Sequence, residues 1–365
     1  MNLKMNNDFD LKIRLNNIFW SLGCYTRIEV KLSEYSLQRK NPMELTDLDV
    51  LGIRILPDLS IHYLVADCTL NNDVIKSPIQ RVFWLKGVMD FFGASKGYLC
   101  LGTNNPILET QRIVAHRLGL TILNENNLAN LEKRVINSGL QLKLSEPESW
   151  LNFENKIASL SKNMGPLLNF RKYHYWLNPS YQNIHALISL VTKHNKFFDE
   201  TNRLQKALVL DLLTLLTLSV LKMSEYVLRI NPENPETELK AYLYGGYAEM
   251  KRRQSIVENI RKIMEKSNLT QGSLFNETFK LDPDYLPQLF DIAFRLLNKP
   301  FDSSQILRYL QVILFEKILD KGENAEGMKY LETGFSDITK KLTRDIAKFF
   351  CDSTGISEKL VEDLY

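Results

Sequence analysis

Two β-rich runs joined by a four-residue turn constrain the fold of this chain more than any other feature. The runs extend from Asp49 to Leu56 and from Ile61 to Leu70, and Pro57-Asp58-Leu59-Ser60 lies between them. Proline, aspartate and serine are turn-forming residues, and the flanking runs are rich in β-branched side chains. The sequence therefore predicts an antiparallel hairpin over residues 49–70.

The hairpin is predicted to bring two acidic residues together at its open end. Counting outward from the turn sets Asp49 against Asp67 or Cys68, and alternation along the second strand places Asp67 and Thr69 on one face. Converging carboxylates are costly unless they are solvated or bound to a cation. A hard, oxygen-preferring divalent ion such as Mg²⁺ suits the pair.

Residues 1–140 alternate helical and β-rich segments, which predicts an α/β domain with a mixed central sheet flanked by helices. Strands separated by helices late in this region indicate parallel crossovers. The predicted order is α-β-β-β-α-β-α-β followed by a short helix, with helices at 9–22, 79–92, 106–118 and 127–134 and strands at 25–32, 49–56, 61–70, 97–102 and 120–123.

Residues 148–365 are predicted to form an all-α domain, after a boundary near Pro147. Its most apolar segment, Ala207 to Leu221, contains Asp211 and is interrupted too soon for a membrane span, so a buried core helix is expected and no membrane association. Glu238 to Lys266 is predicted to be mostly helical, with Gly245-Gly246 as the point where the helix could kink or divide. Four scattered cysteines without a CxxC pair favour a reducing, cytoplasmic setting.

The hairpin residues resemble the PD-(D/E)XK nuclease superfamily, in particular Mrr-like type IV restriction endonucleases and Holliday-junction-resolvase-like domains. In that pattern an aspartate precedes Val-Leu on one strand, and an apolar strand then ends in acid-Cys-Lys. The resemblance covers roughly residues 9–135, which implies a restriction-endonuclease-like fold for this region. It is carried by Thr46-Asp47-Leu48-Asp49-Val50-Leu51-Gly52, Tyr63-Leu64-Val65-Ala66-Asp67-Cys68-Thr69, Arg81-Val82-Phe83-Trp84-Leu85-Lys86-Gly87, Gly97-Tyr98-Leu99-Cys100-Leu101-Gly102 and Leu120-Thr121-Ile122-Leu123-Asn124.

The resemblance implies metal-dependent phosphodiester hydrolysis with Mg²⁺ or Mn²⁺ as cofactor. Asp49 and Asp67 would hold the metal, and the backbone carbonyl of Cys68 would supply a further ligand. An acid on the first helix often assists in this superfamily, and Asp10 is the residue near that position.

The chain departs from the family pattern at the catalytic lysine. Its position is occupied by Thr69, which carries no charge at neutral pH. Migration of the lysine to another position would restore the missing ammonium, and the two residues considered are Lys76 in the following loop and Lys86 on the following helix. As ordinary surface lysines, both would be solvated.

Nucleic acid, DNA in particular, is the expected partner. Overall charge does not indicate this, because the 46 lysines and arginines are balanced by 43 acids. A basic helix in the second half could neutralise phosphates, although interleaved glutamates are typical of a solvated face. The helical domain could also bind another protein or a second copy of the chain. The basic residues are Lys251, Arg252, Arg253, Arg261 and Lys262.

Three functions remain open from the sequence. The first is a nucleic-acid-handling nuclease in DNA restriction, repair or phage defence. The second is an inactive pseudonuclease that serves as a DNA-binding or protein-interaction scaffold. The third is an α/β domain with no nucleic-acid role, in which Asp49 and Asp67 point apart or pair with Arg54 or Arg81.

Overall fold

A five-stranded mixed sheet in the first third of the chain is followed by helices. The structure is a computed structural model that describes residues 7–34, 43–136, 139–266 and 281–365. The strand order is β1-β2-β3-β4-β5, with antiparallel pairing from β1 to β3 and parallel pairing from β3 to β5. The α/β region and the helical region that the sequence predicts are both present.

The elements of the sheet region follow the predicted order, with one additional short helix. The strands are β1 Tyr25–Glu34, β2 Met43–Ile55, β3 Ile61–Thr69, β4 Lys96–Leu101 and β5 Leu120–Asn124; the helices are α1 Asn7–Ser21, α2 Asn72–Lys76, α3 Pro78–Phe92, α4 Glu109–Arg117 and α5 Glu125–Val135. The additional helix is α2, where Asn71 caps the first turn by accepting from the Asp73 amide.

The second region is helical throughout its described residues. Its elements are Lys143–Ser145, Pro147–Ala158, Ser161–Asn169, Phe170–His174, Tyr175–Leu177, Ser180–His194, Asn195–Phe197, Arg203–Ile230, Pro235–Leu243, Tyr247–Lys266, Leu286–Asn298, Pro300–Ser303, Ile306–Val312, Ile313–Leu319, Ala325–Thr333, Asp337–Thr354 and Glu358–Leu364. The predicted division at Gly245-Gly246 is confirmed, and both glycines have a positive φ, 85° and 116°.

The β2–β3 hairpin forms as predicted. Asp58 accepts from the Ser60 amide at 3.0 Å, and the Leu56 amide donates to the Ser60 carbonyl at 3.0 Å, which closes the turn. The register pairs Val50 with Ala66. One further step outward sets Asp49 opposite Asp67, the first of the two partners that counting from the turn allows.

Helix α1 lies close against one face of the sheet because β2 has a glycine at the contact. A Cβ built on Gly52 would lie 2.9 Å from Cδ2 of Phe19, closer than packed side chains tolerate. Leu11 and Leu15 on α1 belong to the same buried cluster as Val50 on β2. The close packing sets the distance between α1 and the sheet, and so determines which strand residues the other side chains of α1 can contact.

The opposite face of the sheet shares one hydrophobic cluster with the helical region. The cluster joins Val65 and Leu99 in the strands to Val82 on α3 and continues into the helix Arg203–Ile230. Residues between the two predicted domains take part, since Leu144 is fully buried in the same cluster. The division into domains at 1–140 and 148–365 stays a prediction, because the core is continuous across it.

The helix Arg203–Ile230, here called the core helix, is buried as its composition predicts. Every residue from Ala207 to Leu221 is buried. By length and composition it is the one helix in the described residues that could cross a membrane, but 94% of its most apolar window is buried inside the protein. Such burial is typical of the core of a soluble protein, and a cytoplasmic location stays a prediction.

A buried charge network connects the edge strand β1 to the core helix. Asp211 accepts from Arg27 Nη2 at 2.7 Å and from Arg171, and Arg171 Nη1 donates to Glu154 at 3.0 Å. Arg27, Arg171 and Asp211 are each at least 93% buried. Because both arginines share one carboxylate, neither is an isolated buried charge.

We expect Asp211→Ala to lower the free energy of unfolding by about 3–5 kcal/mol, because it leaves two buried guanidinium groups without their shared carboxylate. Urea denaturation followed by circular dichroism measures this loss. Asp291→Ala is the matched control, since Asp291 is exposed and pairs with Arg295 on the surface at 2.8 Å; its loss should stay below about 1 kcal/mol. Equal losses in the two variants would contradict the role given to the network.

Candidate active site

The two acids at the open end of the hairpin lie on neighbouring strands, and both are buried. Asp49 is 9% exposed and Asp67 is 6% exposed. The Asp49 carboxylate reaches across to β3, where its Oδ2 accepts from the Cys68 amide at 2.7 Å. Burial is the largest cause of the raised pKa of Asp49, and the charge of Asp67 adds to it, so the two carboxylates are close enough to interact electrostatically.

Lys12 on α1 supplies an ammonium group at this site. Its Nζ lies 2.9 Å from Oδ1 of Asp49 and 3.1 Å from Oε1 of Glu29, and Asp8 lies 3.5 Å away on the same helix. Lys12 is only 7% exposed. Although burial opposes its charge, the pairing with Asp49 and Glu29 raises the pKa of Lys12 above its usual value.

Glu29 occupies a strained backbone position directly opposite Asp49. The strand pairs Ile28–Val50 and Val30–Leu48 flank it, and its φ is 54°. A left-handed conformation costs a residue with a side chain about 1–3 kcal/mol, and such strain is concentrated at functional sites. Here the strained residue is the one that shares Lys12 with Asp49.

Arg81 on α3 neutralises the second acid. Its Nε donates to Asp67 Oδ2 at 2.7 Å and its Nη2 donates to Oδ1 at 2.6 Å, which is a bidentate pair. The guanidinium also stacks on Trp84, 3.6 Å from the ring centroid. Pairing with Arg81 was the structural alternative that the sequence left open for Asp67.

The structure places the lysines named from the sequence elsewhere. Lys86 Nζ donates to Asp90 on the same helix at 2.6 Å. Lys76 is exposed at the end of α2, where a loop was expected. Thr69, at the position where the resemblance implies a lysine, is half-buried, and its hydroxyl accepts from the Asn71 amide. Within the described part of the chain, the hydrogen bonds and ion pairs of Lys86, Lys76 and Thr69 do not include Asp49 or Asp67.

Asp10 is exposed, and Asp8, one helical turn before Lys12, is the acid of α1 that faces the site. Sequence reasoning also missed Lys12 itself. The available signal was its position at the border of the apolar stripe of α1, next to Phe19 in the helical projection. A lysine at that border is buried only if its amine meets carboxylates, and those come from strands distant in sequence.

Burial is the main cause of the shifted pKa values of Asp49 and Cys68. It raises the pKa of Asp49 to about 6, against the opposing effects of the Lys12 ammonium and the Cys68 amide. Burial also raises the pKa of the Cys68 thiol, and a hydrogen bond with Cys100 acts in the same direction. The thiol therefore stays protonated at neutral pH, and nothing in its surroundings activates it as a nucleophile.

The donor set suits a hard divalent ion in type but not in its present arrangement. Asp49 and Asp67 offer carboxylate oxygens, the ligands that Mg²⁺ prefers. All four oxygens already accept hydrogen bonds, and Arg81 covers both oxygens of Asp67. Within the described ranges, no group of three or more histidine, cysteine or acidic side chains could hold a metal. Arg81 therefore competes with a cation for Asp67.

The basic helix lies on the surface of the protein, and the ion pairs of Asp49 and Asp67 are made with other elements. Lys251, Arg252, Arg253, Arg261 and Lys262 are all exposed. Arg252 and Arg253 pair with Glu249 on the same helix at 2.7 and 3.0 Å. This internal pairing is typical of a solvated face, so contact with nucleic acid stays a prediction.

Comparisons of the chain with protein-family models, with curated proteins and with solved structures give no match. Inferences about function therefore rest on the residues of this site.

We expect replacement of Lys12 by methionine to raise the pKa of Asp49 further above 6, because the ammonium favours the charged carboxylate. Carbon-13 NMR titration of the aspartate carboxyl groups measures it. Lys86→Met is the control and should leave Asp49 unchanged. A lower Asp49 pKa in Lys12→Met would contradict the ion pair.

Because the pKa of Asp49 is raised in the folded protein, the free energy of unfolding depends on pH in a direction that can be stated. The folded protein holds the Asp49 proton more tightly than the unfolded chain, whose aspartates titrate near pH 3.9. Between about pH 4 and 6 this group therefore lowers the free energy of unfolding as pH rises.

Proposed function

We propose that this protein is a divalent-metal-dependent nuclease that cleaves phosphodiester bonds in nucleic acid, DNA in the first instance. The observation that carries the proposal is the Lys12 ammonium, 2.9 Å from Asp49 at the open end of the hairpin. The resemblance to PD-(D/E)XK nucleases calls for two acids and a lysine at this place. Thr69 cannot supply the lysine's charge, and Lys12 supplies it from α1.

Each side chain of the site has a role in such a reaction. Asp49 and Asp67 would hold Mg²⁺ or Mn²⁺, which when bound polarises the phosphate and acidifies a water molecule. Asp49 is ionised at neutral pH because its pKa is about 6. Lys12 places a positive charge where negative charge develops on the attacking oxygen or on the phosphate. Arg81, once released from Asp67, has the planar geometry that binds phosphate oxygens in pairs.

The decisive experiment is incubation of the purified protein with plasmid, linear and single-stranded DNA and with RNA, in the presence of Mg²⁺ or Mn²⁺. We expect cleavage by the wild type and none by the Asp49→Ala, Asp67→Ala double variant. Lys12→Met should reduce the cleavage rate about 100-fold or more, because it removes the charge that stabilises the transition state.

Lys86→Met removes the same charge from a surface ion pair and should cleave at the wild-type rate. Equal cleavage by Lys12→Met and wild type would contradict the role of Lys12. No cleavage by the folded wild-type protein with any substrate would contradict the nuclease proposal.

A pseudonuclease is the second candidate, and the bidentate Arg81–Asp67 pair favours it. In that case Arg81 holds Asp67 permanently, and the domain serves as a DNA-binding or protein-interaction scaffold in the same processes of restriction, repair or phage defence. The two candidates differ in what happens when Arg81 is removed.

If the site binds metal, Arg81→Gln should bind Mn²⁺ about tenfold more tightly than wild type, because the substitution removes the guanidinium that competes with Mn²⁺ for Asp67. Isothermal titration calorimetry measures the affinity. Arg117→Gln, an exposed arginine at the end of α4, is the charge-matched control and should bind as wild type does. Absence of Mn²⁺ binding in both wild type and Arg81→Gln would favour the pseudonuclease.

A further inference from the structure

The outward face of α3 carries two exposed phenylalanines that the site does not use. Phe83 is 58% exposed and Phe91 is 56% exposed. Gly87 lies midway between them, and a Cβ built there would meet no atom within 4 Å. These three residues, here called the α3 ridge, follow one another at intervals of four, so they form one row along the helix surface.

The α3 ridge is symmetric about its glycine. Phe83 stands one turn before Gly87 and Phe91 one turn after it. When two antiparallel copies of such a ridge cross at Gly87, Phe83 of each meets Phe91 of the other. The bare backbone at Gly87 lets the two helices approach closely at the crossing. A surface that is complementary to itself in this way fits a two-fold, isologous contact.

Charge at the rim does not oppose this contact. Lys86 and Asp90 flank Gly87 and pair with each other at 2.6 Å, so they contribute no net charge to the face. Helix α4 packs against α3 and adds exposed apolar side chains, Leu108 at 61% and Ile113 at 45%. One helix alone buries less than a stable interface needs, and α4 supplies additional area.

We propose that two copies of this chain form a dimer through the α3 ridge, with the two-fold axis passing beside Gly87. Helices packed about 8–10 Å apart, each with Cα atoms about 2.3 Å from its axis, bring the two Gly87 Cα atoms to about 3.4–5.4 Å from each other. The proposal concerns the assembly of the protein and does not rest on nuclease activity.

The interface borders the candidate active site. Trp84 is adjacent to Phe83 and stacks on the Arg81 guanidinium that holds Asp67. A partner seated on the α3 ridge would restrict Trp84 and, through it, Arg81. The helical region, where a homodimer surface was expected from the sequence, is not needed for this contact.

The test is the oligomeric state together with a crosslink at the axis. Sedimentation velocity should show a dimer for the wild type at concentrations of about 1–100 µM. Phe83→Glu and Phe91→Glu should each weaken dimerisation about 30-fold or more, because each places a charge in the centre of the contact. Phe301→Glu is the matched control: Phe301 is 65% exposed on another helix, and this variant should dimerise as wild type does.

Gly87→Cys should form an intermolecular disulfide on mild oxidation, because the expected Cα separation overlaps the range for a disulfide. The background is low, since all four native cysteines are free and buried. A wild-type protein that stays monomeric over the whole concentration range overturns the proposal. So does a dimer that persists in both glutamate variants.

Discussion

The ion pair between Lys12 and Asp49 connects the first helix to the hairpin, and the arrangement of the site depends on it. Burying an ammonium group is unfavourable unless carboxylates surround it. Asp49 and Glu29 supply these carboxylates. The strand register places Asp49 at the site, and Glu29 joins it from a strained backbone conformation. Close packing of α1 at Gly52 brings the lysine within reach. Packing and electrostatics therefore specify the same position for α1.

The two acids of the hairpin differ in how they are neutralised. Asp49 meets a lysine that is itself buried, whereas Asp67 meets an arginine whose side chain is one-third exposed and stacked on Trp84. An exposed partner can be exchanged for another cation at lower cost than a buried one. The site is thus asymmetric, with a fixed side at α1 and an exchangeable side at α3.

Local patterns predicted most of the sheet region, and long-range contacts account for what they missed. The turn at Asp58 and the alternation along the strands narrowed the residue opposite Asp49 to Asp67 or Cys68, and the strand register selects Asp67. Lys12 could not be found in this way, because its partners lie 17 and 37 positions away on other elements. The pairing of Arg27 with Asp211 spans 184 positions. Periodicity describes one element at a time and carries no information on such pairs.

The contact between Gln311 and β1 determines when part of the sheet edge is covered during synthesis of the chain. Its side chain accepts from the Thr26 amide and donates to the Thr26 carbonyl, which covers part of the free edge of β1. These residues are 285 positions apart. While the chain is being synthesised, the edge of β1 at Thr26 lacks this cover until Gln311 has been made. That part of the sheet edge is therefore protected from pairing with other nascent chains only once the helix Ile306–Val312 has formed.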